Sequence, residues 1–142
     1  MRALSLLVLL ATPFYARLLP SSHGQVAFDL SDSGYVAIYS FPAGGGGPLL
    51  VYHSEKKPEG RGEHTIRPVF IGPSETTWND YQQNLTFGRF TTTLVLIASP
   101  TPLNLTTRVA TAPRDDDPIA RLIAQVSPPG ATVVADSYVY RF

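Results

Sequence analysis

The chain has no cysteine among its 142 residues, so it forms no disulfide, no thiolate metal site and no cysteine-linked lipid anchor. It also has no net charge: eleven Lys and Arg stand against eleven Asp and Glu. A neutral chain offers no broad basic surface to neutralise phosphates, so nucleic acid is not an expected partner. Long apolar runs are missing as well. The longest begins at Ala3, ends at Ala11 and is interrupted beyond by Pro13 and Arg17, well short of the ~18 residues that suggest a membrane span. What remains is a composition of 44% apolar and 15% charged residues, that of one globular domain able to bury a core. Thirteen prolines and eleven glycines imply many turns, and hence short strands rather than long helices.

The N-terminus is patterned. Met1-Arg2 and the apolar stretch after it have the charged start and short hydrophobic region of a secretory signal peptide, which predicts export. Two cleavage points are open. A cut after Ala16 places bulky Phe14 three residues before the bond, whereas a cut after Gly24 places small Ser22 and Gly24 where small residues belong. The second fits better and divides the chain into a leader, residues 1–24, and a single β-rich domain, residues 25–142. The other readings are an uncleaved membrane anchor within residues 3–16 and a buried first strand. An exported domain of this size without disulfides points to a bacterial envelope, periplasmic or extracellular. Asn84-Leu85-Thr86 and Asn104-Leu105-Thr106 match the glycosylation acceptor pattern but carry no weight in that compartment.

Strand signals fill the rest. Residues 25–30 read as a first strand closed by Ser31-Asp32-Ser33-Gly34. Residues 35–41 and 49–52, rich in β-branched and aromatic side chains, flank four glycines and read as a hairpin. Tyr35 to Phe41 is apolar on both parities, which predicts a central strand covered on two sides. Residues 53–64 are polar and rich in Gly and Pro, a surface loop; residues 65–71 look extended but carry Pro68, which suits an edge or a break. Residues 72–88 read as a long excursion. Residues 90–99 are the strongest strand and belong mid-sheet, residues 103–110 suggest a short extended piece, and residues 131–142 make a last strand running to a docked terminus. One helix is expected over about 118–126, with an acidic cap, Pro118 at its first position, and Ile119, Leu122, Ile123 and Val126 on one stripe. The fold class that follows is mainly β: an antiparallel β-sandwich or open barrel with one packed α-helix.

Chemistry is sparse. Gly44 to Gly47 precede a strand rather than a helix, so they make a hairpin turn and not a phosphate cradle. Asp115, Asp116 and Asp117 lack the spaced ligands and glycine of a calcium loop and suit a helix start. Ser99 follows a strong strand, but no Gly-x-Ser-x-Gly elbow surrounds it. His23, His53 and His64 show no zinc spacing. Trp78, Tyr81, Phe87 and Phe90 form an aromatic-rich segment suited equally to a core and to a recognition surface. No catalytic residue, cofactor or metal is expected. The candidate interaction surface is His53, His64, Trp78, Tyr81 and Phe87.

Gly34-Tyr35-Val36-Ala37, the glycine-rich hairpin, Leu50-Val51-Tyr52, Leu96-Ile97-Ala98-Ser99 and Pro102-Leu103 together resemble exported bacterial domains akin to domain-of-unknown-function family 4384. Here His53 stands where proline is usual in that family. The resemblance covers roughly residues 28–142 and implies a small β-sandwich serving as an envelope-associated accessory or sensing module, with no catalytic residues. Residues and resemblance together predict a non-catalytic exported domain that presents loops to another envelope protein, with a membrane as partner only if the N-terminal segment stays on. Two alternatives compete: a small hydrolase or metal-dependent enzyme using His53, His64 and a carboxylate such as Glu63 or Asp80, and a membrane-tethered structural subunit.

Overall fold

The computed structural model describes residues 13–20, 25–43, 48–54, 56–68, 91–105 and 117–141. Within them the chain forms strands β1 (Ala16–Leu19), β2 (Val26–Leu30), β3 (Tyr35–Pro42), β4 (Leu49–His53), β5 (Gly62–Ile66), β6 (Thr91–Ser99) and β7 (Val134–Arg141), with helix α1 (Pro118–Val126) between the last two. All pairings are antiparallel. A three-stranded sheet runs β1-β2-β5 and a four-stranded sheet runs β4-β3-β6-β7. Among the described residues the fold is a β-sandwich with one packed helix and no closed barrel.

Alternation explains the layers. In β3, Val36 and Ile38 point at the three-stranded sheet while Ala37, Tyr39 and Phe41 point at the helix; in β6, Leu94, Leu96 and Ala98 take the first face and Val95 and Ile97 the second. Both strands are interior and covered on two sides, as their doubly apolar pattern requires. One core thus lies between the sheets, where Ala16, Leu18, Val26, Phe28 and Leu30 meet Val36, Ile38, Val51, Leu94 and Leu96. A second core lies under the helix, where Leu122 and Val126 meet Ala37, Tyr39, Leu50, Val95 and Ile97. Each large aliphatic side chain so buried contributes about 1.5–3 kcal/mol before entropy is charged against it. Polar groups inside are paired: Ser40 Oγ and Thr92 Oγ1 lie 2.6 Å apart, and the Ser54 hydroxyl accepts from the Val36 N–H at 2.8 Å.

The apolar run Leu49-Leu50-Val51 supplies both cores, and a bulge follows Leu50. The register between β3 and β4 shifts between Ile38 and Tyr39, leaving Val51 as an extra residue between the pairs Tyr39↔Leu50 and Ile38↔Tyr52. Alternation sends Leu50 under the helix and Val51 between the sheets, and the bulge lets Tyr52 face that same inter-sheet space. The helix begins where its cap allows: the Asp117 carboxylate accepts from the Ala120 N–H at 3.0 Å, and Pro118 occupies the first turn, where no N–H is missed. It ends at Ser127, and the connection to β7 passes through Gly130 at φ +74°, a left-handed position that glycine takes without strain.

Several expectations change. The polar stretch 53–64 is not all loop: β5 starts at Gly62 and ends at Ile66, before Pro68, so His64 stands in a strand. Leu103 to Leu105 form no strand; instead the Asn104 N–H donates to the Val126 carbonyl at 2.9 Å and ties this segment to the helix end. Residues 16–19, inside the span expected to be a leader, form β1 in register with β2 from Ala16↔Leu30 to Leu19↔Ala27. The residue types of β1 fit both roles. Its two inward side chains, Ala16 and Leu18, are 7% and 5% exposed.

Candidate recognition cleft

At one end of the sandwich β1 begins, β2 ends, β5 begins and β6 ends, because the antiparallel registers bring Ala16, Leu30 and Gly62 into one row and Ser99 opposite Tyr35. The turns leaving these strands enclose a cleft of about 520 Å³. Phe14 and Tyr15 form one wall and the β2–β3 turn from Ser31 to Ser33 another, with Arg61 and Pro100 also at the lining. The turn is held by its own short side chains. The Tyr15 N–H donates to Ser31 Oγ at 2.7 Å, the Ser31 N–H donates to the Tyr15 carbonyl at 3.0 Å, and Asp32 Oδ1 accepts from the Ser33 N–H at 2.8 Å. Pairing of the segment before β1 with this turn fixes the cleft's width.

Gly34 follows the turn and has a specific reason to be glycine. A Cβ there would stand 2.7 Å from Phe14 Cζ and 3.1 Å from the Ser99 carbonyl oxygen. The Phe14 ring can therefore close over the backbone. Gly34 also exchanges both backbone hydrogen bonds with Glu59, at 3.0 and 2.8 Å, which pins the segment carrying Arg61 to the start of β3.

Charge at this end is mixed. Arg17 Nη2 lies 3.5 Å from Asp29 Oδ2, and its guanidinium sits 5.4 Å from the centre of the Tyr15 ring. Glu63 is the cross-strand neighbour of Asp29 on the other side, so Arg17 offsets a like-charge pair. Arg61 and Asp32 are exposed, and among the described residues no ion pair engages the Arg61 guanidinium. Tyr15, 39% exposed, also borders a shallower depression shared with Arg17, Ala135 and Asp136.

The histidines do not assemble. His53 is the register partner of Ala37, which places it on the helix side of the four-stranded sheet, with Nδ1 3.2 Å from the Ser54 carbonyl oxygen. His64 is the register partner of Phe28 and stacks on its ring, centroids 5.1 Å apart, on the inner face of the other sheet. Its Nε2 lies 2.6 Å from the Gly60 carbonyl oxygen; a carbonyl only accepts, so this nitrogen carries hydrogen and Nδ1 faces Glu59 Oε2 at 3.8 Å. The Tyr52 hydroxyl donates to Glu59 Oε1, and burial, the hydrogen bond and the charge of Glu59 together raise its pKa far above the usual tyrosine value. Glu59 thus links β4, β5 and the start of β3, a structural latch at the edge opposite β1.

Ser99 is buried, and its Oγ accepts from the Thr101 N–H at 3.2 Å in a local turn. Among the described residues no group of three His, Asp or Glu side chains stands together as metal ligands. Glu63 faces outward beside Asp29, away from both histidines. His23, Gly44 to Gly47, Trp78, Asp80, Tyr81, Asn84, Phe87, Phe90, Asp115 and Asp116 lie outside the described residues. The cleft carries little signal in the sequence, because its walls are turn residues and two aromatics within the expected leader; the local mark is the cluster Ser31-Asp32-Ser33-Gly34. No family model, curated protein or solved structure matches the chain.

Proposed function

We propose that the protein is a non-catalytic, exported interaction module that engages another protein of the cell envelope at the cleft end of its sandwich. One observation carries this reading: turns from four strands converge on a cleft whose exposed Tyr15, Asp32 and Arg61 combine an aromatic face with charges of both signs. Aromatic and Arg side chains dominate the energetics of protein recognition, and loops on a rigid sheet commonly carry it. The charged start and short apolar stretch of the chain support export. The separation of His53 and His64 on different sheets removes the support that the hydrolytic alternative drew from their meeting.

The test is site-directed photo-crosslinking in the native envelope. A photoreactive residue replacing Ser33 in the cleft captures a discrete partner, while one replacing exposed Ala124 on the helix does not. Arg61→Glu lowers the Ser33 yield several-fold by placing a like charge against the partner's complementary group. Equal capture from both positions, or none from Ser33, refutes the reading.

A further inference from the structure

The best-patterned leader cleavage point and the fold make opposite demands on residues 14–19. We propose that Phe14 to Leu19 are a permanent part of the folded domain, so that any removal of N-terminal residues stops before Phe14. Every residue of this stretch is tied to the remainder. Ala16 and Leu18 are buried between the sheets, and Phe14 packs against the same core. Tyr15 is bonded in both directions to Ser31. Arg17 is paired with Asp29.

The free edge of β1 supplies the strongest constraint. An edge strand exposes N–H and C=O groups that must find partners elsewhere. Here the opposite sheet provides them: the Asp136 carboxylate of β7 accepts from the Leu18 N–H at 2.8 Å, and the Tyr140 hydroxyl donates to the Leu19 carbonyl. Tyr140 is only 3% exposed, and both side chains face the space between the sheets. A cut after Gly24 removes the partners of both at once, uncovers the flank of Val26, Phe28 and Leu30, and deletes the Phe14–Tyr15 wall of the cleft. A cut after Ala16 divides β1 itself.

The conflict has a simple origin. Pro20, Ser21, Ser22 and Gly24 are the small and turn-forming residues that a peptidase site favours, and equally those that a connection between antiparallel β1 and β2 needs. Leu19 pairs with Ala27, so β1 and β2 are antiparallel neighbours in the folded domain.

The experiment takes the chain from the cells that make it and measures its intact mass and N-terminal sequence, together with amide exchange of the purified full chain. The expected first residue is Phe14 or one before it, and the Leu18 amide exchanges roughly a hundredfold or more slowly than an unstructured one. A chain beginning at Arg17 or Gln25 overturns the inference, with or without a retained peptide. So does free exchange at Leu18. Because the mass measurement rests on the proposed export, a chain held in the cytosol defeats export alone, and exchange at Leu18 then decides this inference independently.

Discussion

Leu18→Ala weighs the contribution of β1. Leu18 is 5% exposed and points between the sheets, opposite Phe28 in register. Truncating a buried leucine removes its transfer free energy and leaves a cavity, at a cost of 2–5 kcal/mol depending on how far the site collapses. An edge strand of four residues relaxes more readily than an interior one, which places the expected loss at about 2–3 kcal/mol. Against a total stability of about 5–15 kcal/mol this is large. With an m-value of roughly 1–3 kcal/mol/M in urea, the midpoint falls by about 0.7–3 M. Leu19→Ala is the internal control: Leu19 pairs with Ala27 on the outer face, so its truncation costs under about 1 kcal/mol. Urea titration of both variants by far-ultraviolet circular dichroism reads the difference. Equal midpoints for the two variants refute the placement of β1 in the core.

Gly34→Ala forces a Cβ against Phe14 and the Ser99 carbonyl and destabilises by about 1–3 kcal/mol; adding Phe14→Leu recovers part of the loss, and purely additive midpoints contradict the contact. Stability also falls at alkaline pH. Burial, with lesser contributions from Tyr138 and Asp136, raises the Tyr140 pKa from 10.0 to about 12, so folded Tyr140 holds its proton more tightly than the unfolded chain does. Its contribution is complete below pH 10 and is lost as pH climbs through about 12. Tyr52 acts in the same direction. A titration of the urea midpoint from pH 8 to 11.5 shows the decline, and Tyr140→Phe flattens part of it; an unchanged slope in that variant assigns the loss elsewhere. Asp117→Ala removes the helix cap and costs about 1 kcal/mol in the same assay, an effect that Asp117→Asn largely avoids.

The parts of the fold legible in sequence are those where local pattern and tertiary burial agree. Tyr35 to Phe41 and Thr91 to Ser99 are apolar on both parities because both faces are covered, and the helix is bounded by a capping aspartate, a first-turn proline and Pro128-Pro129-Gly130 beyond its end. Where burial comes from neighbours rather than pattern, the sequence is silent. β5 carries Glu63 and Thr65 outward and only His64 and Ile66 with any bulk inward; the ladder to β2 makes it a strand. β1 is ambiguous for a different reason, since an apolar stretch near an N-terminus serves a leader and a strand equally well. The cleft was least legible, because its walls are turn residues chosen for backbone geometry and converge only through the registers of β1, β2, β5 and β6. His53 and His64, separated by ten residues and suggestive as a pair, are parted by strand parity and by membership of different sheets.

Native-state amide exchange across the whole chain probes the doubly covered sheet on which the cleft, the helix and the outer sheet all depend. The slowest amides should lie in β3 and β6, from Val36 to Tyr39 and from Leu94 to Ile97, opening only with global unfolding. Slowest exchange in the helix, or rapid exchange through β3 and β6, would show that the four-stranded sheet is not the rigid platform and that the cleft has no fixed geometry.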